Sequence, residues 1–283
     1  MKKIILLATS LATSLLMAEE PSQELLNDIA KAKETASVAD AKLKALQSKL
    51  PQNQDIMTKL KLGYIKTDGN SNTETFSLDG DIKKEWGNNS LKLSLDAQYG
   101  NTDIIDANNV TKNEETKNKY FTELEYAYSF SDKLSTTLVL GYKDDKFSSY
   151  NYQSYIGPGV KYKAYKSDKQ ELNAQASLLY SHDQIQEQYL TTTDLKNNYG
   201  SYKATFTYEL QIFENLKFNQ ELSYRAAVDE SQNYFVFSKS EISSKISNIF
   251  SAGLSYKVDY ANLVAETIEK RDNTLAAFIS LEY

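Results

Sequence analysis

From Phe76 onward, apolar residues recur at every second position. Phe76, Leu78, Gly80 and Ile82 share one face of an extended segment, with Ser77, Asp79, Asp81 and Lys83 opposite. After Gly87-Asn88-Asn89 the chain resumes with Leu91, Leu93, Leu95, Ala97 and Tyr99 on one side and Lys92, Ser94, Asp96 and Gln98 on the other, which predicts two strands joined by a tight turn. The same alternation returns in Tyr120–Phe130, Leu134–Tyr142, Ile156–Tyr162, Leu172–Tyr180, Tyr202–Ile212 and Leu216–Tyr224. Val236–Ile246, Phe250–Tyr260 and Thr274–Tyr283 complete the set. With Met57–Lys66 in front, the pattern predicts about twelve strands, many near the roughly 9–11 residues that cross a bilayer when tilted. An even number makes the first and last strands antiparallel neighbours, as a closed single-chain barrel requires.

Ahead of the strands the period changes. Leu25, Ile29, Ala32, Ala36, Ala39, Leu43, Leu46 and Leu50 recur at alternating spacings of four and three, a heptad seam between a candidate N-cap at Ser22 and a stop at Pro51. This predicts a helix within residues 19–55. Two readings of it stay open: a periplasmic coiled coil that oligomerises the chain or docks a partner through residues 22–50, or an amphipathic helix against or inside the barrel mouth. Residues 1–18, with Lys2 and Lys3 before an apolar run ending at Met17-Ala18, look like a secretory signal.

Connections alternate in length. Gly87–Asn89, Ser131–Lys133, Lys166–Lys169, Phe213–Asn215 and Ser247–Asn248 are short, whereas Asn101–Thr116, Gln184–Asn197 and Asn262–Arg271 are long and polar. Short periplasmic turns opposite longer outer loops fit an outer-membrane barrel. Trp86, Tyr128, Phe130, Phe250 and Tyr283 fall near the turn side, and Tyr99, Tyr120, Tyr142, Tyr152, Tyr180, Tyr224 and Tyr260 near the loop side. Two aromatic rings of this kind belong at membrane interfaces. The last strand carries Phe278, Ile279, Leu281 and Tyr283, which read as a C-terminal insertion signal for the barrel-assembly machinery.

Composition changes this picture little. A mean hydropathy of −0.54 excludes a bundle of membrane helices but not a barrel, where only alternate residues meet lipid. There is no Cys, which removes disulfides, thiolate metal sites and an N-terminal lipid anchor. The formal charge is −6, and loss of Lys2 and Lys3 would make it −8, a poor match for nucleic acid.

If the apolar faces meet lipid, the opposite faces line a lumen. Asp79, Asp81, Lys83, Glu123, Glu125, Lys161, Lys163, Glu221, Arg225 and Glu241 are the lumen-facing candidates. Their signs are interleaved between neighbouring strands, which predicts cross-strand ion pairs in the wall rather than a one-sign filter. A barrel of about twelve strands should enclose a narrow or blocked lumen. A soluble sandwich or lipocalin would instead turn the apolar face inward.

No catalytic constellation emerges. His182, the lone histidine, has Ser181 beside it, but adjacent strand residues point to opposite faces. Asp68-Gly69-Asn70-Ser71-Asn72 lacks the distal acid of a calcium loop and reads as a tight turn; Asp144-Asp145 and Asp103 with Asp106 read as solvated loop acids. The expectation is therefore no enzyme, no cofactor and no metal.

Gly63-Tyr64, leading to Thr67-Asp68-Gly69-Asn70-Ser71-Asn72-Thr73-Glu74-Thr75, resembles the opening of the salt-induced outer-membrane protein family, a YdiY-like family of unknown function. Lys143-Asp144-Asp145-Lys146-Phe147 and Tyr155-Ile156-Gly157-Pro158-Gly159-Val160-Lys161-Tyr162 are similar to its middle signature, although Gln153-Ser154-Tyr155 departs from an expected Arg. The resemblance spans about residues 57–283 and implies location and architecture, with no reaction or ligand.

The resulting expectation is an all-β chain: signal 1–18, helix 19–55, and a transmembrane antiparallel β-barrel at 56–283 in the outer membrane of a Gram-negative bacterium. It would face lipid and lipopolysaccharide and serve a structural or stress-related envelope role. A narrow passive pore for small solutes is the alternative, and an outer-membrane lipid hydrolase a further one.

Overall fold

The computed structural model describes residues 56–67, 72–105, 111–189 and 197–283. The signal segment, the heptad helix and most of the Asp68–Asn72 turn lie outside the described residues. Within them run twelve strands: β1 (Ile56–Thr67), β2 (Asn72–Trp86), β3 (Asn89–Ile105), β4 (Thr111–Ser129), β5 (Leu134–Asp145) and β6 (Tyr150–Lys166). They continue as β7 (Gln170–Ile185), β8 (Asn198–Phe213), β9 (Leu216–Ala227), β10 (Tyr234–Lys245), β11 (Phe250–Ala261) and β12 (Arg271–Glu282). Each pairs antiparallel with its neighbours in sequence, and β12 returns to β1, closing an all-β barrel.

Alternation decides which side chain goes where. On β7, Leu178 is 69% exposed while its neighbours Ser177 and Leu179 are 4% and 5% exposed, so successive residues stand on opposite sides of the wall. The outer surface carries Leu60, Leu62, Leu138, Leu140, Ile242 and Ile279, all exposed. Apolar side chains turned outward and ionic ones enclosed invert the soluble arrangement.

Local chemistry sets the turns. Gly87 adopts φ +55° in the two-residue Gly87-Asn88 connection, a left-handed conformation that suits this hairpin. Three other turns at the same end share one device. Ser131 Oγ accepts from the Lys133 and Leu134 N–H groups, Ser167 Oγ from Lys169 and Gln170, and Ser247 Oγ from Ile249 and Phe250.

At the opposite end the outer face carries stacked rings. Tyr120, Tyr142, Tyr152 and His182 form one arc, with centroids 6.1, 5.6 and 5.6 Å apart. Tyr202, Tyr224, Tyr234 and Tyr260 form another, at 6.0, 5.7 and 5.9 Å. Phe130, just past the end of β4, lies ten positions after Tyr120 and meets Tyr128 edge to face at the turn end. At ~3.3 Å per residue and a ~45° tilt this spans about 23 Å of height, close to the ~25 Å apolar band of a membrane barrel.

The seam is short but fastened. Six residue pairs join β1 to β12, from Lys59 with Glu282 to Tyr64 with Ala277. Beyond them the Tyr283 N–H donates to the Thr58 carbonyl at 2.8 Å, and the Thr58 N–H donates back to the Tyr283 carbonyl at 2.6 Å. Lys59 and Glu282 add an ion pair at 2.7 Å.

Two expectations need correction. Asn101–Thr116, read as a long loop, is mostly strand: β3 runs to Ile105 and β4 starts at Thr111, with a register shift at Gly100/Asn101. Polar residues continue the ladder there, Asn113 Nδ2 donating to Asp103 at 2.8 Å, because a hairpin projecting beyond lipid needs no apolar face. The lumen is also not wholly ionic. Val139, Tyr155 and Leu179 form a buried apolar cluster inside the wall, with Phe121 packed against it. Gly141 makes room for it, since a Cβ at that position would lie 2.2 Å from the Tyr155 ring.

Candidate functional site

The lumen holds the chemistry of this fold, in tiers. Near the turn end, Lys83 pairs with Glu85 and Lys217 with Glu209 at 2.5 Å, and all four side chains are more than a third exposed. Lys163 stands on the same face two residues beyond Lys161, at that wet end. One step further in, Asp81 accepts from Lys92 at 3.0 Å and from Ser94 Oγ at 2.7 Å, and Glu125 accepts from Lys161 at 2.9 Å.

In the middle the ion pairs leave the wall and cross the lumen. Asp79 on β2 sits between Lys239 on β10 and Lys257 on β11, the second contact at 2.5 Å; Lys257 also reaches Asp96 on β3. Lys61 on β1 donates to both oxygens of Glu241 on β10 at 2.5 Å and lies 5.4 Å over the Phe278 ring. Glu123 on β4 accepts from Lys203 on β8 at 2.5 Å and from the Tyr155 hydroxyl. Higher up, Lys119 on β4 bridges Asp259 at 2.6 Å and Asp272 at 2.8 Å, and Lys143 on β5 reaches Asp259 at 3.3 Å. In a ring of twelve, β5 and β11 are opposite each other. The expected pairs between neighbouring strands are present, but long lysine stems also let many charges meet across the interior.

Glu221 lines the same cavity and lies opposite Lys239 in register, yet the Lys239 ammonium turns to Asp79 and Glu241.

Toward the loop end one side of the interior is tightly packed, beside the space that continues upward. Asp183 has no exposed surface and accepts from Tyr199 at 2.6 Å, Gln153 at 2.9 Å and Arg225 at 3.4 Å. Arg225 also donates to Ser181 Oγ at 2.9 Å and stacks over Phe235 and Tyr155, 4.5 and 5.3 Å from their centroids. The buried carboxylate and guanidinium are therefore fully engaged. Ser181 lies inside and His182 outside, where its ring meets Tyr152 Oη at 3.1 Å and Asn198 Oδ1 at 2.7 Å.

Above this network the Asn262–Lys270 segment crosses the mouth. It leaves β11 tied to the adjacent rim, Asn262 Nδ2 donating to the Gln232 carbonyl at 2.9 Å. It then reaches the far side, where Leu263 packs on the Tyr150–Ile185 cluster and the Ala265 N–H donates to Ser149 Oγ at 2.9 Å. Ser149 lies in the β5–β6 turn, across the ring from the β11–β12 connection. The sequence presented this segment as a long outer loop; its Leu263 and Ala265 fold it inward as a strap.

Beneath the strap lies a cavity of about 640 Å³, bounded by Thr267 and Ile268 above and reaching Lys59 and Lys92. Those lysines are the fourth residues of β1 and β3, so the cavity runs nearly the full height of the barrel.

Of the sequence candidates, Asp79, Asp81, Glu123, Glu125, Lys161, Glu221 and Arg225 line this cavity, Glu241 pairs beside it, and Lys83 and Lys163 lie at the turn end. Ile279 and Leu281 face outward, whereas Phe278 faces in. Asp183, Tyr155, Gln153 and Tyr199 stand outside the lumen candidates, although alternation from Ser177 and Leu179 places Asp183 on the inner face.

A family model matches residues 60–283, from β1 through the final strand. The chain belongs to the family described as Protein of unknown function, DUF481. A search of curated proteins finds no match. Among solved structures, the NanC porin has 9% identity and a TM-score of 0.48, covering 80% of this chain and 100% of its own. The KdgM porin has 10% identity and a TM-score of 0.40, covering 81% and 99%. An outer membrane channel from Pseudomonas putida F1 has 8% identity and a TM-score of 0.46, covering 82% and 99%.

Proposed function

We propose that this chain is a non-enzymatic barrel of the outer membrane of a Gram-negative bacterium whose lumen is a narrow passage for small solutes. The observation that carries the reading is the cavity of about 640 Å³ reaching from the strap almost to the turn end. Spread over a band of about 25 Å, it averages roughly 25 Å² in section, room for a file of small polar molecules. Residues of both signs line it, which favours neutral or zwitterionic solutes over a strongly selected ion.

The location rests on the exposed apolar outer face between its aromatic ends, which suits lipid and lipopolysaccharide. Insertion by the barrel-assembly machinery through Phe278, Ile279, Leu281 and Tyr283 belongs to the same proposal, as does any partner or self-association through residues 22–50. A lipid hydrolase draws no support from His182, whose ring contacts are Tyr152 and Asn198 while Ser181 is on the inner face.

A second reading, a structural or stress-related envelope role without traffic, is favoured by the pairs that cross the interior and by the resemblance to the salt-induced family. Planar-bilayer recording separates the two. Small stepwise conductances are expected of the passage; a silent barrel whose insertion is verified by heat-modifiable gel mobility would overturn it and leave the structural role.

A further inference from the structure

We infer that the Asn262–Lys270 strap is a releasable gate that closes the loop-side mouth of the lumen. The inference rests on the passage proposed above and adds its regulation.

Three observations carry it. The strap spans the mouth from the β11–β12 side to the β5–β6 turn, so it lies across any route from the cavity to the loop side. Among the described residues its hold on the far rim is slight: one hydrogen bond, Ala265 N–H to Ser149 Oγ, with the buried Ala265 itself, and Leu263 packed on Tyr150 and Ile185. Its other hydrogen bonds among the described residues lie within the strap, as Ile268 N–H to the Ala265 carbonyl at 2.9 Å, or fasten its base, as Ala261 N–H to the Lys270 carbonyl at 2.9 Å and Asn262 to Gln232 and Tyr234 on the adjacent rim. The strap can therefore swing about that base without breaking its internal bonds.

The closed contact also has a cost built in. The hydroxyl of Tyr150, in the cluster on which Leu263 packs, is buried without a hydrogen-bond partner among the described residues. A hydroxyl left unsatisfied in the closed arrangement is relieved when the mouth opens to water, which keeps an open minority state within reach. The turn-side mouth has no such cover among the described residues: Lys83 and Glu85 there are 38% and 54% exposed.

The absence of native cysteine makes the test direct. A Ser149→Cys/Ala265→Cys variant and a variant with residues 263–269 replaced by a short glycine turn are recorded in planar bilayers beside the parent. With the cross-link formed, open probability should fall at least about tenfold and return on reduction, while the strap-less variant should stay open. If the cross-linked, reduced and strap-less proteins all conduct alike, the gate is overturned and the passage stands. If the strap-less and reduced proteins are silent although inserted, the passage itself fails and the gate with it. A Leu263→Ala single variant, which disturbs the fold least, should raise open probability; unchanged gating there counts against the strap.

Discussion

The two ends of the barrel are built from the same alternation and finish differently. At the loop end Asp183 and Ser149 have no exposed surface and a strap lies over the mouth. At the turn end Lys83, Glu85, Lys217 and Glu209 stand more than a third exposed. The difference lies in the size of the inward residues. Tyr150, Tyr155, Tyr199 and Phe235 pack one side of the loop end and narrow the cavity there, while at the turn end the inward positions include small residues such as Ser129 and Ser135, their hydroxyl oxygens 2.9 Å apart. Closing a barrel fixes a perimeter, but only inward side-chain volume decides whether a section is core or channel.

Substitution down the axis tests that contrast. Arg225→Ala should have the largest effect, because it leaves Asp183 buried without its cation; removal of one partner of a buried pair costs about 3–5 kcal/mol. A clear drop in the urea midpoint of the lipid-reconstituted barrel is expected, and an unchanged midpoint would mean that water already reaches this network. Asp79→Asn comes next. Lys239 and Lys257 retain Glu241 and Asp96, so the loss should be about 1–3 kcal/mol by the same assay. Lys83→Ala should be nearly neutral, within about 0.5 kcal/mol, since the pair it breaks is solvated. If Lys83→Ala proved as costly as Arg225→Ala, the turn end would have to be packed as tightly as the loop end.

Much of the fold was legible because lipid imposes its own rule on one face. Leu91, Leu93 and Leu95, or Leu138 and Leu140, share one face as soon as the strand period is seen, and closure of the ring turns that face outward. Beyond the apolar band that rule lapses, and the extended hairpin of β3 and β4 carries no such signal: Asn101, Thr102 and Asp103 pair as strand while reading as loop. The lumen shows the same split. Alternation places Asp79, Glu123 and Arg225 inside, but which lysine meets which acid depends on reach across a closed ring, as in Lys143 with Asp259. The strap was least visible of all. Leu263 and Ala265 sit in a polar stretch, and their burial comes from Tyr150, Ile185 and Ser149, residues distant in the chain that only the closed ring brings within reach.

The pairing of Lys59 with Glu282 joins the start of the sheet to its finish. Until the final strand is in place the first has one vacant edge, and in a bilayer such an edge is severely penalised. Closure should therefore wait for the whole ribbon and then zip shut in one concerted event, so a truncated chain lacking β12 should fail to close rather than form a smaller version of the finished molecule.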